Sequence, residues 1–238
     1  MVSYIGTADS ACPLATKMRS GMLYSCSQHP EDCVHVRYNK NGARETELSE
    51  KDENPHYKYT LRSIFCLQPI GDLPTRKGLF DAIMFGCIPV VFHPLSASAM
   101  YTWHWSTQLW KDIAIEIPMN VMNHSRSLLL SDPIVYLKDL MENEPEAIAR
   151  RQKLLRRHAF ELSYSLDFYQ PGSPWPLDEE DKPIRDAYEI TMDALLGKNS
   201  GTFTEKPRVV ESIWKKEVVK LVPDGCRSLF QPKFLVDI

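Results

Sequence analysis

The sequence predicts an α/β fold, a sheet built from strand–helix–strand units followed by helices. Three observations carry that expectation. Segment 63–92, SIFCLQPIGDLPTRKGLFDAIMFGCIPVVF, reads as an apolar strand, an abrupt polar loop, a helix and a second apolar strand, which is a βαβ unit. Segment 2–38 shows the same alternation. From Asp132 onward the pattern turns to helix after helix.

Taken in order, residues 2–7 can form a strand. Residues 13–26 carry Leu14, Met18, Met22 and Leu23 at helical spacing. Residues 34–38 are a short alternating strand candidate. Residues 39–57 are polar and charged, with Gly42 and Pro55, and read as a long surface loop. The βαβ unit follows, its helix expected to place Leu79, Phe80, Ile83 and Met84 on one face. Residues 93–108 are irregular and aromatic. Ile113, Ile115 and Ile117 alternate with polar neighbours, predicting a strand over 112–117 that Pro118 ends.

Residues 134–142 read as a helix, and Pro145 suits the first turn of the next, which should run to about Ser163. Residues 171–176 are a break. Residues 183–196 are a further helix closed by Gly197. Residues 207–222 form an amphipathic one. The expected organisation is a Rossmann-like domain with C-terminal helices over 1–200, then an unassigned helical tail over 201–238.

At 238 residues with 43% hydrophobic content the chain can bury a core. A net charge of −3 gives no electrostatic reason to expect nucleic acid or an anionic membrane. The most apolar run, 82–92, is too short to span a bilayer and is broken by Gly86 and Pro89. The first residues lack the basic start and apolar core of a signal peptide, so no anchoring or exporting segment is expected in this chain.

The loop after the first strand of the βαβ unit falls where open α/β sheets bind ligands, at a strand's carboxyl end. It places Thr75, Arg76 and Lys77 at a helix start, where free N–H groups and the helix dipole attract anions such as phosphate. Lys77 and Asp81 at i, i+4 also fit a plain surface ion pair. Asp81 fits a ribose hydrogen bond as well. Tyr101, Trp103, His104 and Trp105 suit a sugar or base platform, or else a loop plugged into the core. The acidic run 178–181 reads as a solvated turn rather than a metal site. Dinucleotide, Walker A and nucleophile-elbow signatures are absent.

Cys66 and Cys87, inside apolar runs, read as buried thiols. Cys26 and Cys33 flank a polar loop; a disulfide, free thiols and, with His29 and His35 nearby, a metal site are all open.

The stretch from Phe65 to His104, with FCLQPIGDLPTRKGLFDAIMFGCIPVVFHP followed by YTWHW, resembles the exostosin-like glycosyltransferases of family 47, in their plant and algal branch. Lys17, Arg19, Leu23, Cys26 and Cys33 resemble the lead-in to that core. Gly78 and the Met84–Phe85 pair depart from the family's pattern. The resemblance implies the donor-binding, C-terminal Rossmann-like domain of a GT-B enzyme. It implies inverting sugar transfer from a nucleotide diphosphate sugar, UDP-linked, to a glycan hydroxyl. Thr75, Arg76 and Lys77 would lie at the diphosphate and Asp81 near the ribose, with Gly71, Asp72, His93, Trp103 and His104 as further donor-side candidates. No metal or cofactor is expected, since the cations would neutralise the leaving group. A Golgi setting is implied. So is a facing acceptor domain or partner subunit carrying the catalytic base, which is not identified among these residues. The rival reading is a non-catalytic member that binds nucleotide or glycan or serves as a subunit partner. An unrelated Rossmann-like enzyme such as a methyltransferase is a third.

Overall fold

The computed structural model describes residues 1–38, 55–117, 132–164 and 185–196. Five parallel strands form one sheet in the order β2-β1-β3-β4-β5. They are β1 (Val2–Thr7), β2 (Cys33–Tyr38), β3 (Phe65–Gln68), β4 (Ile88–Val91) and β5 (Ile115–Glu116). The helices are α1 (Pro13–Gln28), α2 (Pro55–Arg62), α3 (Lys77–Met84), α4 (Thr107–Ile113), α5 (Pro133–Asn143), α6 (Pro145–His158) and α7 (Ala187–Leu195). The expected α/β class with a strand–helix first half is therefore observed. Strands β3 and β4 are buried along nearly their whole length, which is why they read as continuous apolar runs rather than alternating ones.

Pro89 lies inside β4, paired with Cys66 of β3, a position that normally resists proline. Its placement resolves the conflict. Successive residues of a parallel strand point their backbone groups to opposite sides. Ile88 N–H donates to Ile64 O on the β3 side at 2.8 Å, while Val91 O accepts from Ile117 N–H on the β5 side at 2.9 Å. The donor missing at Pro89 thus faces β5, and β5 pairs with β4 only at Val90 and Val91.

Two elements differ from the sequence expectation. The segment read as a loop to residue 57 is helical from Pro55; the part of it over 39–54 lies outside the described residues. The strand expected over 112–117 is two residues long, because α4 occupies Thr107–Ile113. Ser106 caps α4 by accepting from Leu109 N–H at 3.2 Å. Trp110 and Ile113, three apart, bury one helical face. The isoleucine alternation thus spans a helix end and a short strand. In α3 the buried face is Leu79, Ala82 and Ile83, while Met84 is 42% exposed. The expected break at 171–176, the acidic run 178–181, Gly197 and the helix at 207–222 lie outside the described residues.

α1 begins at Pro13, whose missing N–H costs nothing in a first turn. α2 and α3 share one face of the sheet, closing a small cavity over Ser3, Ile5, Cys66 and Gln68 with His56, Thr60 and Gly78. α5 docks on the end of α1 through Asp132. Its carboxylate caps α5 at Ile134 N–H (2.9 Å) and accepts from Ser25 Oγ (2.6 Å), with His29 Nε2 at 3.1 Å.

Cys26 and Cys33 are joined, tying the end of α1 to the start of β2. Cys66 and Cys87 are joined as well, which corrects their reading as separate thiols. Cys66 lies in β3 and Cys87 just before β4, with 5.9 Å between Cα atoms. Apolar burial fits a disulfide as well as a thiol, so the local sequence could not separate the two.

Candidate functional site

The strand order reverses between β1 and β3, so the loops leaving their carboxyl ends part there and leave a crevice, the usual ligand position of an open α/β sheet. Asp72 links the two loops. Its carboxylate accepts from Ser10 Oγ and Ala11 N–H, both at 2.7 Å. Those two bonds, with a smaller contribution from the Arg19 charge and against the effect of burial, hold the Asp72 carboxyl below the ordinary aspartate range. Asp72 therefore works here as a clasp between loops.

Two arginines converge on this crevice. Arg19 comes from the buried face of α1, beside Ala15, Met22 and Cys26. Its Nε donates to Ile70 O at 2.9 Å, and its Nη1 to Thr7 Oγ1 at 3.0 Å and Asp9 O at 2.9 Å. Arg76, at the N-cap of α3, donates from Nη1 to Pro69 O at 2.7 Å and adjoins the Tyr4 hydroxyl. Burial, and then the Arg19 charge, disfavour the Arg76 cation, with Tyr4 acting the other way. Every hydrogen-bond acceptor seen on the two guanidiniums is a carbonyl or hydroxyl. No carboxylate pairs with either among the described residues. Two partly desolvated like charges with no carboxylate hydrogen-bonded to either are costly unless something anionic joins them.

The surrounding glycines fit that picture. A Cβ at Gly71 would stand 2.6 Å from Arg19 Nη2, and one at Gly6 would stand 3.4 Å from Arg76 Nη2. Both positions keep backbone bulk away from guanidinium nitrogens. At Gly78 a Cβ would stand 2.6 Å from Gln68 Oε1, so this glycine lets the β3 side chain lie against α3. The N-cap of α3 makes no side-chain cap hydrogen bond, and Leu79 N–H donates to Arg76 O at 3.2 Å.

The other predicted residues are placed as follows. Lys77 is 83% exposed and binds Asp81 through both carboxylate oxygens, at 2.6 and 2.7 Å. His56 Nε2 stands 3.8 Å from Asp81. Asp81 thus faces the α2 side, and a ribose contact requires this pair to open. Thr75 sits beside the Tyr101 hydroxyl. Tyr101 then packs on Phe80 and Trp110, with ring centroids 5.1 and 5.8 Å apart. Trp105 is buried against Trp110 and donates to Glu161 Oε2. The aromatic loop is therefore largely a plug in the core, anchored at one end to the Thr75 loop. Trp103 and His104 are half-buried, and His104 Nε2 is a buried atom without a partner. Burial lowers the His104 pKa. His93 is buried after β4, its Nδ1 accepting from Leu95 N–H at 3.1 Å.

Arg76, Asp72, Gly71 and Thr75 are thus gathered near one crevice, whereas Lys77 and Asp81 pair on its outer flank. The residues underweighted by sequence reasoning are Arg19 and Tyr4. A signal for Arg19 was present: it falls on the apolar stripe 15, 19, 22, 26 of α1, where an arginine has no packing reason to be. Among the described residues no group of three or more metal-ligating side chains gathers, and no helix is long and apolar enough to cross a membrane.

A family description, the Exostosin GT47 domain, matches residues 8–131. A xyloglucan-specific galacturonosyltransferase of Arabidopsis thaliana is 29% identical over 203 residues, covering 85% of this chain and 26% of that protein. A xyloglucan galactosyltransferase of the same plant is 32% identical over 136 residues, covering 57% of this chain and 19% of that protein. The chain spans about a fifth to a quarter of the length of these relatives.

Proposed function

The chain belongs to the exostosin GT47 family, and from that premise we propose that it forms the donor-binding part of a glycosyltransferase. The donor is a nucleoside diphosphate sugar, UDP-linked, and the acceptor a glycan hydroxyl of a xyloglucan-like polysaccharide. The observation that carries this reading is the pair Arg19 and Arg76 at the β1/β3 crevice, two cations that no carboxylate among the described residues hydrogen-bonds. A diphosphate supplies the missing charge. Guanidinium–phosphate hydrogen bonds are strong and directional.

In the proposed reaction the acceptor oxygen attacks the anomeric carbon from the face opposite the diphosphate. The bond from that carbon to the diphosphate oxygen breaks, and a base takes the acceptor proton. Configuration inverts. Arg76, Arg19 and the N-terminal end of α3 hold the charge that grows on the leaving diphosphate. Fixed guanidiniums fill the place a divalent cation takes in other transferases. The base belongs to a facing acceptor domain, as in a GT-B arrangement, and this chain supplies the C-terminal half of the cleft. Two disulfides in the described core suit an oxidising compartment, consistent with a Golgi lumen.

Calorimetry with UDP tests the reading. A charge-assisted hydrogen bond contributes about 1.5–3 kcal/mol, so Arg76→Ala should weaken UDP by about one to two orders of magnitude. Equal affinities for the two proteins would remove Arg76 from the site.

A further inference from the structure

A second cavity, of about 320 Å³, lies away from the crevice, between β5, α5 and α6. One wall is the α4–β5 turn, which enters the parallel sheet at the end opposite the β1 and β3 loops. Its volume falls within the range of small-molecule sites.

Its lining is unusual for a packing gap. Glu116 presents a buried Oε1 with no hydrogen-bond partner. Buried polar atoms are nearly always satisfied, so an orphan calls for a ligand or solvent donor. Tyr136 and Glu144 also line the space, and neither side chain makes a hydrogen bond among the described residues. Arg151 is fixed on the opposite wall: its Nη1 donates to Lys111 O, Asp112 O and Ala114 O at 2.7, 2.9 and 2.9 Å. Ile115 and Ile148 supply an apolar floor.

The two carboxylates are balanced by Arg151 and Lys111, so the lining favours no net ionic charge. It offers acceptors, donors, an aromatic ring and an apolar surface within one cavity. That mixture fits a neutral polyhydroxylated ligand, whose hydroxyls donate and accept at once and whose C–H faces pack on rings. We infer that the β5–α5–α6 cavity is a glycan-binding exosite, engaging a neutral polysaccharide segment remote from the diphosphate crevice. The choice of polysaccharide rests on the glycosyl-transfer reading.

The test uses the full chain and two probes, a neutral xyloglucan-derived oligosaccharide and UDP, followed by saturation-transfer NMR and titration. The oligosaccharide should bind. Glu116→Gln and Tyr136→Phe should each weaken it about tenfold, the scale of one hydrogen bond to a charged or phenolic group. Ala147→Phe, which fills the cavity without removing a hydrogen bond, should abolish it. UDP affinity should be unchanged in all three, which also reports an intact fold. Wild-type protein that shows no transfer to the oligosaccharide overturns the exosite, as do Glu116→Gln and Ala147→Phe variants that bind it like wild type. Absent UDP binding with Glu116-dependent oligosaccharide binding would instead overturn the donor reading and leave the exosite standing.

Discussion

At the scale of single residues, the crevice depends on atoms that are absent. Gly71 is tolerated and needed because Arg19 Nη2 occupies the space its side chain would take. Arg19 cannot swing aside freely, since three acceptors from two loops hold it. Gly71→Ala should therefore displace the guanidinium and weaken UDP binding at least as much as it lowers the melting temperature. A variant that melts early yet binds UDP normally would separate Arg19 from the ligand. Asp81 offers a sharper test of its own role. If it reads a ribose, Asp81→Asn weakens UDP more than inorganic pyrophosphate. If it only partners Lys77, both ligands respond alike. Sequence reasoning reaches Arg76 through its position in a loop at a helix start. Its contacts with Tyr4 and Pro69 O join residues far apart in the chain, which spacing alone does not reveal. Cys66 and Cys87 were illegible for the same reason: their pairing depends on how the start of β4 is brought beside β3.

At the scale of elements, the legible ones were those whose local pattern and tertiary environment agree. β1, α1, β3, α3 and β4 appear close to where periodicity placed them. α4 was hidden because three alternating isoleucines mimic a strand, while the cap at Ser106 and the spacing of Trp110 and Ile113 mark a helix. α2 was hidden because Pro55 was taken as a loop signal, although proline also opens helices. The junction of α1 and α5 makes a pH prediction. Burial alone would raise the Asp132 carboxyl, but bonds from Ser25, Ile134 N–H, His29 and Val135 N–H outweigh it and leave the carboxyl below its ordinary value. A carboxyl depressed in the folded state stabilises above its unfolded pKa, about 3.9, and loses that contribution as pH falls through the folded value. Asn caps helices nearly as well as Asp. Asp132→Asn should thus melt below wild type at pH 7, with the gap closing below about pH 4. A gap that stays constant across that range would show that charge plays no part at this junction.

At the scale of the whole molecule, the sheet order turns three separate sequence signals into one location. The arginine of α1, the loop after β3 and the start of α3 meet only because β1 and β3 are neighbours while their chain connections run in opposite directions. If the base lies on a facing domain, the isolated chain should bind UDP yet transfer sugar poorly, since losing a general base removes about 10²–10⁴ in rate. EDTA should leave UDP affinity unchanged. Robust turnover by this chain alone would place the base within it, and His93 and His104 would be the residues to replace first. Donor binding that vanishes with EDTA would end the guanidinium-only account of the leaving group.

The paired arginines also bear on how the free protein behaves in a test tube. Two neighbouring cations with no carboxylate hydrogen-bonded to either among the described residues can accept a counter-ion, and any multivalent anion that fits can serve as a folding partner. Binding to the native state alone raises stability by RT ln(1 + [L]/Kd). Pyrophosphate should therefore raise the melting temperature beyond the effect of sodium chloride at matched ionic strength, and Arg76→Ala should cancel the difference. The same logic makes phosphate buffer a competitor. A donor titration run in phosphate would understate affinity, and one run in a monovalent zwitterionic buffer would not.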